Sequence, residues 1–298
     1  MHKRSFLAIT ISFLMLATLD SSAGPVEPTN LIGSITFKRA DRYFGGFSAI
    51  ELDDDGTRFT ALSDRGAWTQ GYLSRDAAGR ITSIQSAPMH RLRARGTAYL
   101  SGDRADSEGL AIGADGVAYV SLERAARVLR YASIEGPAEN LPIPAEFGQM
   151  QFNSSLEALA IDARGWLYTL PERSGDEDRP FPIYRFRNGK WDQPFTIPRQ
   201  GTFLPVGADF GPDGRLYILE RQFRGLAGFA SRIRRYEVGV TTISAAETVL
   251  ETRPGLHGYL EGLSVWRDAT GALRATMVSD DNFRFFLRSE IVEYRIAD

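Results

Sequence analysis

The sequence of 298 residues contains no cysteine and only three histidines, His2, His90 and His257. The lack of cysteine excludes disulfides, a thiol nucleophile and a lipid-modified amino terminus. A histidine-rich zinc site is excluded by the shortage of histidine. A serine-histidine-aspartate triad would need His90 or His257 beside an activated serine, yet the chain has no Gly-x-Ser-x-Gly motif to hold one.

An excess of charge of either sign is also missing. Lysine and arginine total 35 against 37 aspartates and glutamates, and no block of like charge or low-complexity stretch divides the chain. Nucleic acids and anionic membranes are therefore not expected partners. With 43% hydrophobic residues the chain can bury a large core, so one domain over residues 24–298 and a monomer are expected. No phosphate-cradling P-loop is present.

The first 23 residues have the pattern of a signal peptide. Basic residues at positions 2–4 precede an apolar run over residues 6–18, and the small residues Ser21 and Ala23 suit cleavage before Gly24. The run is too short to span a bilayer comfortably. This predicts a periplasmic or secreted protein without stable membrane insertion after cleavage. An uncleaved amino-terminal anchor is the alternative.

A repeat with a period of 49 residues organises the rest of the chain. Ser107–Arg124 (SEGLAIGADGVAYVSLER) aligns without a gap to Leu156–Arg173 (LEALAIDARGWLYTLPER), with Glu108 opposite Glu157. Apolar alternation on both sides of a glycine turn indicates paired strands, and repeats of this length are typical of propeller blades. Looser copies cover Gly45–Arg65, Val206–Arg221 and Glu261–Asn282.

The copies predict an all-β fold, a β-propeller of five four-stranded blades. Further strand-like stretches follow each copy, but the fifth copy ends after its third strand. Leu31–Lys38 could complete it by pairing with Glu290–Ile296, which would close the ring and remove open sheet edges. Six blades remain the alternative, because 63 residues separate Gly46 from Gly109 and residues 91–104 could hold another element.

Acidic residues recur at fixed places in the repeat. Because consecutive strands are antiparallel, the start of a first strand and the end of a second strand share one edge of the blade. These acids should therefore surround one mouth of the central channel. They are Glu108, Glu157 and Glu261 at first-strand starts, and Asp64, Glu123, Glu172, Glu220 and Asp280 at second-strand ends. The ring is incomplete, because Gly45 and Val206 occupy the first-strand position in copies one and four.

Two interpretations of the ring are open. Arginine follows the acid in four copies, at Arg65, Arg124, Arg173 and Arg221, so the acids could serve in ion pairs between blades. Alternatively, carboxylates bind Ca²⁺ while the arginines bind an anionic substrate. The expected metal ligands are then Glu108, Glu157, Glu261, Asp64, Asp280 and Asp281.

Three further features lie near the predicted mouth. Glu157, Glu108 and His257 are the candidate catalytic groups, and His257 is the candidate base because it precedes Glu261 closely; an ordinary loop histidine is the alternative. The loop Ser174–Arg179 should lie over the mouth, unless it is simply a solvated loop. Asp53–Gly56 (DDDG) resembles half a calcium loop but is more simply a hairpin turn at the opposite edge.

The ordered motifs GGFSAI…ALSDRG, SEGLAI…VSLER, LEALAID…LYTLPER, GADF…LYILER and LEGLSV…VSDDNF resemble the phytase-like family described as having esterase-like activity. The resemblance covers nearly the whole mature chain. It implies a propeller, export and an esterase or phosphoesterase activity with a proposed metal dependence.

Two hypotheses for function follow. One is a Ca²⁺-assisted hydrolase that acts on a small anionic ester or phosphoester at the mouth. The other is a non-catalytic exported propeller that binds an anionic ligand or a partner protein there. A hydrolase should have carboxylates free of ion pairs, whereas a binding module should pair every acid with arginine.

Overall fold

Antiparallel strands are the main secondary structure of the chain in the computed structural model, which describes residues 30–284 and 287–298. In these residues the strands form five blades of a β-propeller. Strand β1 is Leu31–Thr36, and blade one contains β2 Phe47–Leu52, β3 Arg58–Ser63, β4 Ala67–Arg75, β5 Ile81–Ser86 and the short β6 His90–Arg91. Blade two contains β7 Ser107–Ile112, β8 Ala118–Leu122, β9 Arg127–Tyr131 and β10 Glu139–Asn140.

The next two blades follow the same order. Blade three contains β11 Leu156–Ile161, β12 Leu167–Pro171, β13 Phe181–Arg187 and β14 Lys190–Ile197. Blade four contains β15 Leu204–Phe210, β16 Leu216–Phe223, β17 Phe229–Tyr236 and β18 Glu247–Glu251. Blade five contains β19 Tyr259–Arg267, β20 Leu273–Asp280 and β21 Glu290–Arg295. Short 3₁₀ helices occur at Gly102–Arg104, Ala145–Gln149 and Gly225–Ala227.

Strand β1 supplies the fourth strand of blade five. It pairs with β21 in antiparallel register from Leu31 opposite Tyr294 to Thr36 opposite Glu290. The segment that could have held a sixth blade instead contains β6, which pairs with β4, a bridge between Arg93 and Tyr99, and a 3₁₀ turn. The described residues therefore form five blades.

The innermost strands β2, β7, β11, β15 and β19 pack side by side around the channel. Glycines allow this close approach: a Cβ at Gly207 would lie 2.3 Å from the carbonyl oxygen of Glu261, and one at Gly262 would lie 2.7 Å from the Cα of Ala49. Each of the five apolar core clusters joins two adjacent blades, so the core lies between the blades.

Glycine turns join the first and second strands as the repeat predicts. All five have positive φ, between 70° and 86°, at Gly56, Gly116, Gly165, Gly214 and Gly271. In blade one, Asp53 Oδ1 accepts a hydrogen bond from the backbone N–H of Thr57 at 2.8 Å, so Asp53–Gly56 is a hairpin turn.

The predicted signal peptide lies outside the described residues, so it stays a prediction. Among the helices that the structure describes, none has the length and apolar character needed to cross a membrane.

Candidate functional site

Every innermost strand has an irregular register near its start. In four blades a single residue is skipped in the pairing, as in a β-bulge, which turns a side chain away from the regular pleat. The skipped residues are Ser48, Glu157, Val206 and Glu261. In blade two the irregular stretch contains Glu108 and Gly109. The predicted equivalence of Gly45 was wrong, because the pairing of β2 with β3 places Ser48 at this position.

At the mouth end of the second strand, the residue is acidic in blades one, two, three and five and basic in blade four. The backbone N–H groups of Asp64, Glu123 and Glu172 bond across to the start of the first strand, and Asp280 pairs with Tyr259. In blade four, Leu204 pairs with Arg221 at this position. Glu220 was wrongly predicted to lie at the mouth, because copy four has one residue fewer between its tyrosine and its acid. Glu220 instead contacts Arg232 and Arg234 inside blade four.

Eight carboxylates and one arginine interact around the start of the innermost strands. We call this set the mouth cluster, and its members are Asp64, Asp106, Glu108, Glu123, Glu157, Glu172, Glu261, Asp280 and Arg221. The structure thus brings together Glu108, Glu157 and Glu261 from three blades. Asp106 was not predicted, although an acid just before the second copy is visible in the sequence.

Burial and mutual repulsion disfavour the charged forms of these acids. Burial is the larger cause and neighbouring carboxylates are the second, and together they raise the pKa of Asp64 to about 7. The same causes raise the pKa of Glu123 to about 7 and that of Asp280 to about 8. The pKa values of Glu108 and Glu157 lie well above their usual range for the same reasons.

Two groups of three acids in the cluster have the spacing of metal ligands. Carboxylate oxygens of Asp106, Glu108 and Glu123 lie within 4.8 Å of one another, and so do those of Glu123, Glu157 and Glu172. Glu123 belongs to both groups. A hard cation suits such a set of oxygen ligands, because it would neutralise charges that otherwise repel each other. The residues therefore fit Ca²⁺.

Arg221 is the predicted substrate-binding arginine that lies inside the mouth cluster. Its guanidinium contacts Glu261 and lies 3.8 Å from Glu172. Its side chain is 17% exposed. Glu261 is therefore held in an ion pair. Arg221 also attracts Glu157, although burial and neighbouring carboxylates still raise the pKa of Glu157, and Glu108 is repelled by Glu157 and Glu261.

The other three predicted arginines lie at the edge of the mouth cluster, each beside one of its acids: Arg65 beside Asp64, Arg124 beside Asp106 and Arg173 beside Glu172. Arg65 lies over the Phe283 ring, with Cζ 3.2 Å from the centroid. Arg124 contacts Asp106 at 3.1 Å and Asn153 at 3.0 Å, and it is 41% exposed. Arg173 lies 3.5 Å from Glu172 and extends into a separate cavity of about 420 Å³. Ser174 and Arg179 of the predicted mouth loop line this same cavity beside blade three.

His257 and Asp281 have hydrogen-bond partners outside the mouth cluster, although the charge of Asp281 also acts on Asp280. The Nε2 atom of His257 lies 2.6 Å from the Tyr294 hydroxyl, and its Nδ1 lies 3.7 Å from Glu290, so the ring faces β21. Asp281 accepts hydrogen bonds from the backbone N–H groups of Gly46 and Phe283, both at 3.0 Å, and from the Ser289 hydroxyl at 2.9 Å. His257 is thus held against β21, and Asp281 fixes the backbone at Gly46 and Phe283.

A second pair of carboxylates, Glu51 and Asp209, belongs to innermost strands on different sides of the channel. Burial and the repulsion between the two carboxylates raise the pKa of Glu51 well above its usual range, and burial raises that of Asp209 to about 7. Asp209 accepts a hydrogen bond from the backbone N–H of Val265 at 2.6 Å. Each lies three residues beyond the bulge position of its strand, so this pair is separate from the mouth cluster.

The mouth cluster makes stability depend on pH. Without a cation, we expect the melting temperature to be at least about 5 °C higher at pH 5 than at pH 8. Folded-state pKa values of about 7 for Asp64 and Glu123 and about 8 for Asp280 exceed those of the unfolded chain. Proton binding to these acids therefore stabilises the fold. This contribution has its full size below about pH 4 and is lost as the pH rises through 7 to 8. Thermal unfolding in EDTA at several pH values checks this; a melting temperature that rises toward pH 8 would contradict it.

The fold and the mouth cluster define an all-β propeller whose channel opens through a ring of carboxylates. A family model described as phytase-like, esterase-like activity of phytase, matches residues 42–283. The chain belongs to this family, and the match confirms the resemblance seen in the repeat motifs. No curated protein matches the chain.

Solved propeller structures are similar at low identity. A catalytically inactive virginiamycin B lyase from Staphylococcus aureus, solved with quinupristin, is 15% identical, with 89% of this chain and 75% of that chain covered and a TM-score of 0.45. A streptogramin B lyase is also 15% identical, with 90% and 74% covered and a TM-score of 0.43. The WD40 repeats of RRP9 are 9% identical, with 89% and 97% covered and a TM-score of 0.43.

Proposed function

We propose that this protein is an exported hydrolase of esters or phosphoesters that acts at the mouth cluster with the help of Ca²⁺. The observation that carries the proposal is the convergence of carboxylates from different blades at ligand spacing, with Arg221 as the arginine within the cluster. Membership in the phytase-like family supports hydrolysis as the reaction class. Periplasmic or secreted localisation rests on the amino-terminal sequence pattern.

The ligands for the cation would come from the two groups of acids that share Glu123. Glu157 and Glu172 form one side, and Asp106 and Glu108 form the other. Bound there, Ca²⁺ would offset the repulsion between carboxylates and stabilise negative charge that develops on a carbonyl or phosphoryl oxygen. Arg221 lies next to these ligands and can hold an anionic oxygen of the substrate through its fork of N–H donors.

Proton transfer is assigned to Asp64 and Asp280. The two carboxylates repel each other, and their pKa values are about 7 and about 8. A group whose pKa lies near the working pH can both take and release a proton. One can accept the proton of the attacking water, and the other can donate a proton to the leaving oxygen. His257 is not needed for this scheme, because its ring faces Tyr294.

The proposal is tested by assaying the purified protein on p-nitrophenyl acetate and p-nitrophenyl phosphate. We expect hydrolysis of at least one substrate with Ca²⁺ present, and a loss of about 100-fold or more in EDTA. Adding Ca²⁺ back should restore the rate. Hydrolysis of neither substrate at any Ca²⁺ concentration would contradict the proposal.

A non-catalytic propeller that binds an anionic ligand or a partner protein is the second candidate. The ion pairs of Arg221 with Glu261 and of Arg124 with Asp106 favour it, because they show that part of the ring is neutralised within the chain. Binding of inorganic phosphate or acetate without turnover of any ester would support this candidate over the hydrolase.

A further inference from the structure

One hairpin extends past the mouth cluster. The second strand of blade four is longer than its counterparts in blades one, two and three. Those strands, β3, β8 and β12, end at Ser63, Leu122 and Pro171, and the residue in the same register in β16 is Glu220. Strand β16 continues three residues further, to Phe223. Phe223 pairs with Phe229 at the end of the hairpin. Gly225 and Gly228, with φ of 60° and 84°, form the tip. Blade four therefore carries a ribbon of residues 222–229 beyond the edge at which those strands stop.

Aromatic rings form a continuous ladder along this hairpin. The Phe223 and Phe229 ring centroids are 4.9 Å apart, and those of Phe229 and Tyr259 are 4.3 Å apart. The guanidinium carbon of Arg221 lies 5.4 Å from the Phe229 centroid and 5.6 Å from the Tyr259 centroid. Because Arg221 also contacts Glu261, the ladder connects the mouth cluster to solvent.

The outer part of the hairpin exposes large apolar side chains to solvent. Phe223 is 65% exposed, and Leu226 at the tip is fully exposed. Phe229 and Tyr259 are half-buried. Aromatic side chains left in solvent at the edge of a polar site indicate a place where a ligand packs. A partner that docked on the tip alone would not account for the position of Phe229 and Tyr259 beside Arg221.

We propose that this ladder, Phe223, Phe229 and Tyr259, binds the apolar part of the substrate. The substrate is then an amphiphilic ester, with its anionic or ester group in the mouth cluster beside Arg221 and an aryl or acyl body stacked on Phe229 and Tyr259. This inference rests on the proposed function, and it gives that function a substrate class: esters with an apolar body are preferred over wholly polar ones.

Binding of phosphonates tests the inference without any turnover. We expect the protein with Ca²⁺ to bind benzylphosphonate about 10-fold or more tightly than methylphosphonate, as judged by calorimetry, because the ring buries apolar surface on the ladder. Phe229→Ala should reduce this preference, the ratio of the two affinities, to about threefold or less. Leu226→Ser, at the tip, is the matched control and should keep the full preference.

The outcomes separate the inference from the function it rests on. Equal affinities for the two phosphonates, no binding of benzylphosphonate, or a full preference in folded Phe229→Ala would each overturn the inference. Loss of the preference in Leu226→Ser would also overturn it, because Leu226 lies at the tip outside the ladder. If Phe229→Ala does not fold, Phe223→Ala replaces an exposed ring and should weaken the preference about twofold or more. If benzylphosphonate is still preferred over methylphosphonate but no ester is hydrolysed, the proposed function is contradicted and the inference about the ladder stands.

Discussion

Replacing Glu220 by glutamine is expected to lower the free energy of unfolding by about 3–5 kcal/mol. The Glu220 side chain is 1% exposed and accepts hydrogen bonds from the Nε atoms of Arg232 and Arg234 at 2.8 and 2.9 Å. The Arg234 side chain is completely buried. A neutral amide cannot balance the charge of a buried guanidinium, so the penalty of burying that charge is no longer offset.

Urea unfolding followed by circular dichroism measures this loss, and blade four offers a matched control. Glu247 pairs with Arg235 at 2.8 Å, but its carboxylate is 60% exposed. Water can replace an exposed partner, so Glu247→Gln should cost only about 0–1 kcal/mol. Equal losses in the two variants would show that burial does not control the strength of these pairs.

The sequence predicts the fold well because the repeat is local. Copies two and three align without a gap, and their predicted first strands are β7 and β11. Copy four shows the limit of this reasoning. Its LYILER has the same acid-arginine ending as the other copies, yet the pairing of β15 with β16 moves Arg221 to the mouth and Glu220 into the blade. Strand register depends on contacts with a partner strand, which the spacing of one segment does not show.

The candidate site was predictable only where strand ends determine it. Glu108, Glu157 and Glu261 come together because they occupy one position of the repeat, as expected. Glu51 and Asp209 were missed as a pair because their interaction crosses the channel. The contact of His257 with Tyr294 of β21, 37 residues away along the chain, was likewise not predictable from its closeness in sequence to Glu261.

Replacing Glu157 by glutamine is expected to lower any Ca²⁺-dependent hydrolysis about 100-fold or more. Glu157 shares a potential ligand group with Glu123 and Glu172, and its repulsion with neighbouring acids raises its pKa. Glutamine keeps the size but removes one negative charge, so the cation is held less tightly and is less well positioned at the site. Steady-state assays on p-nitrophenyl acetate and p-nitrophenyl phosphate measure the effect. Glu51→Gln is the control, because it removes a carboxylate near the channel that does not belong to the mouth cluster.

Thermal unfolding gives a second readout that needs no substrate. At a Ca²⁺ concentration about 100 times its dissociation constant, native-state binding should stabilise the wild-type protein by about 2.7 kcal/mol. If Glu157→Gln weakens binding about tenfold, the same concentration stabilises it by only about 1.4 kcal/mol. The Glu51→Gln variant should keep the full shift, because Glu51 interacts with Asp209, which lies outside the mouth cluster. A Ca²⁺ shift that is equal in all three proteins would place the cation elsewhere, and the absence of any shift would leave the mouth cluster neutralised by protons and arginine alone.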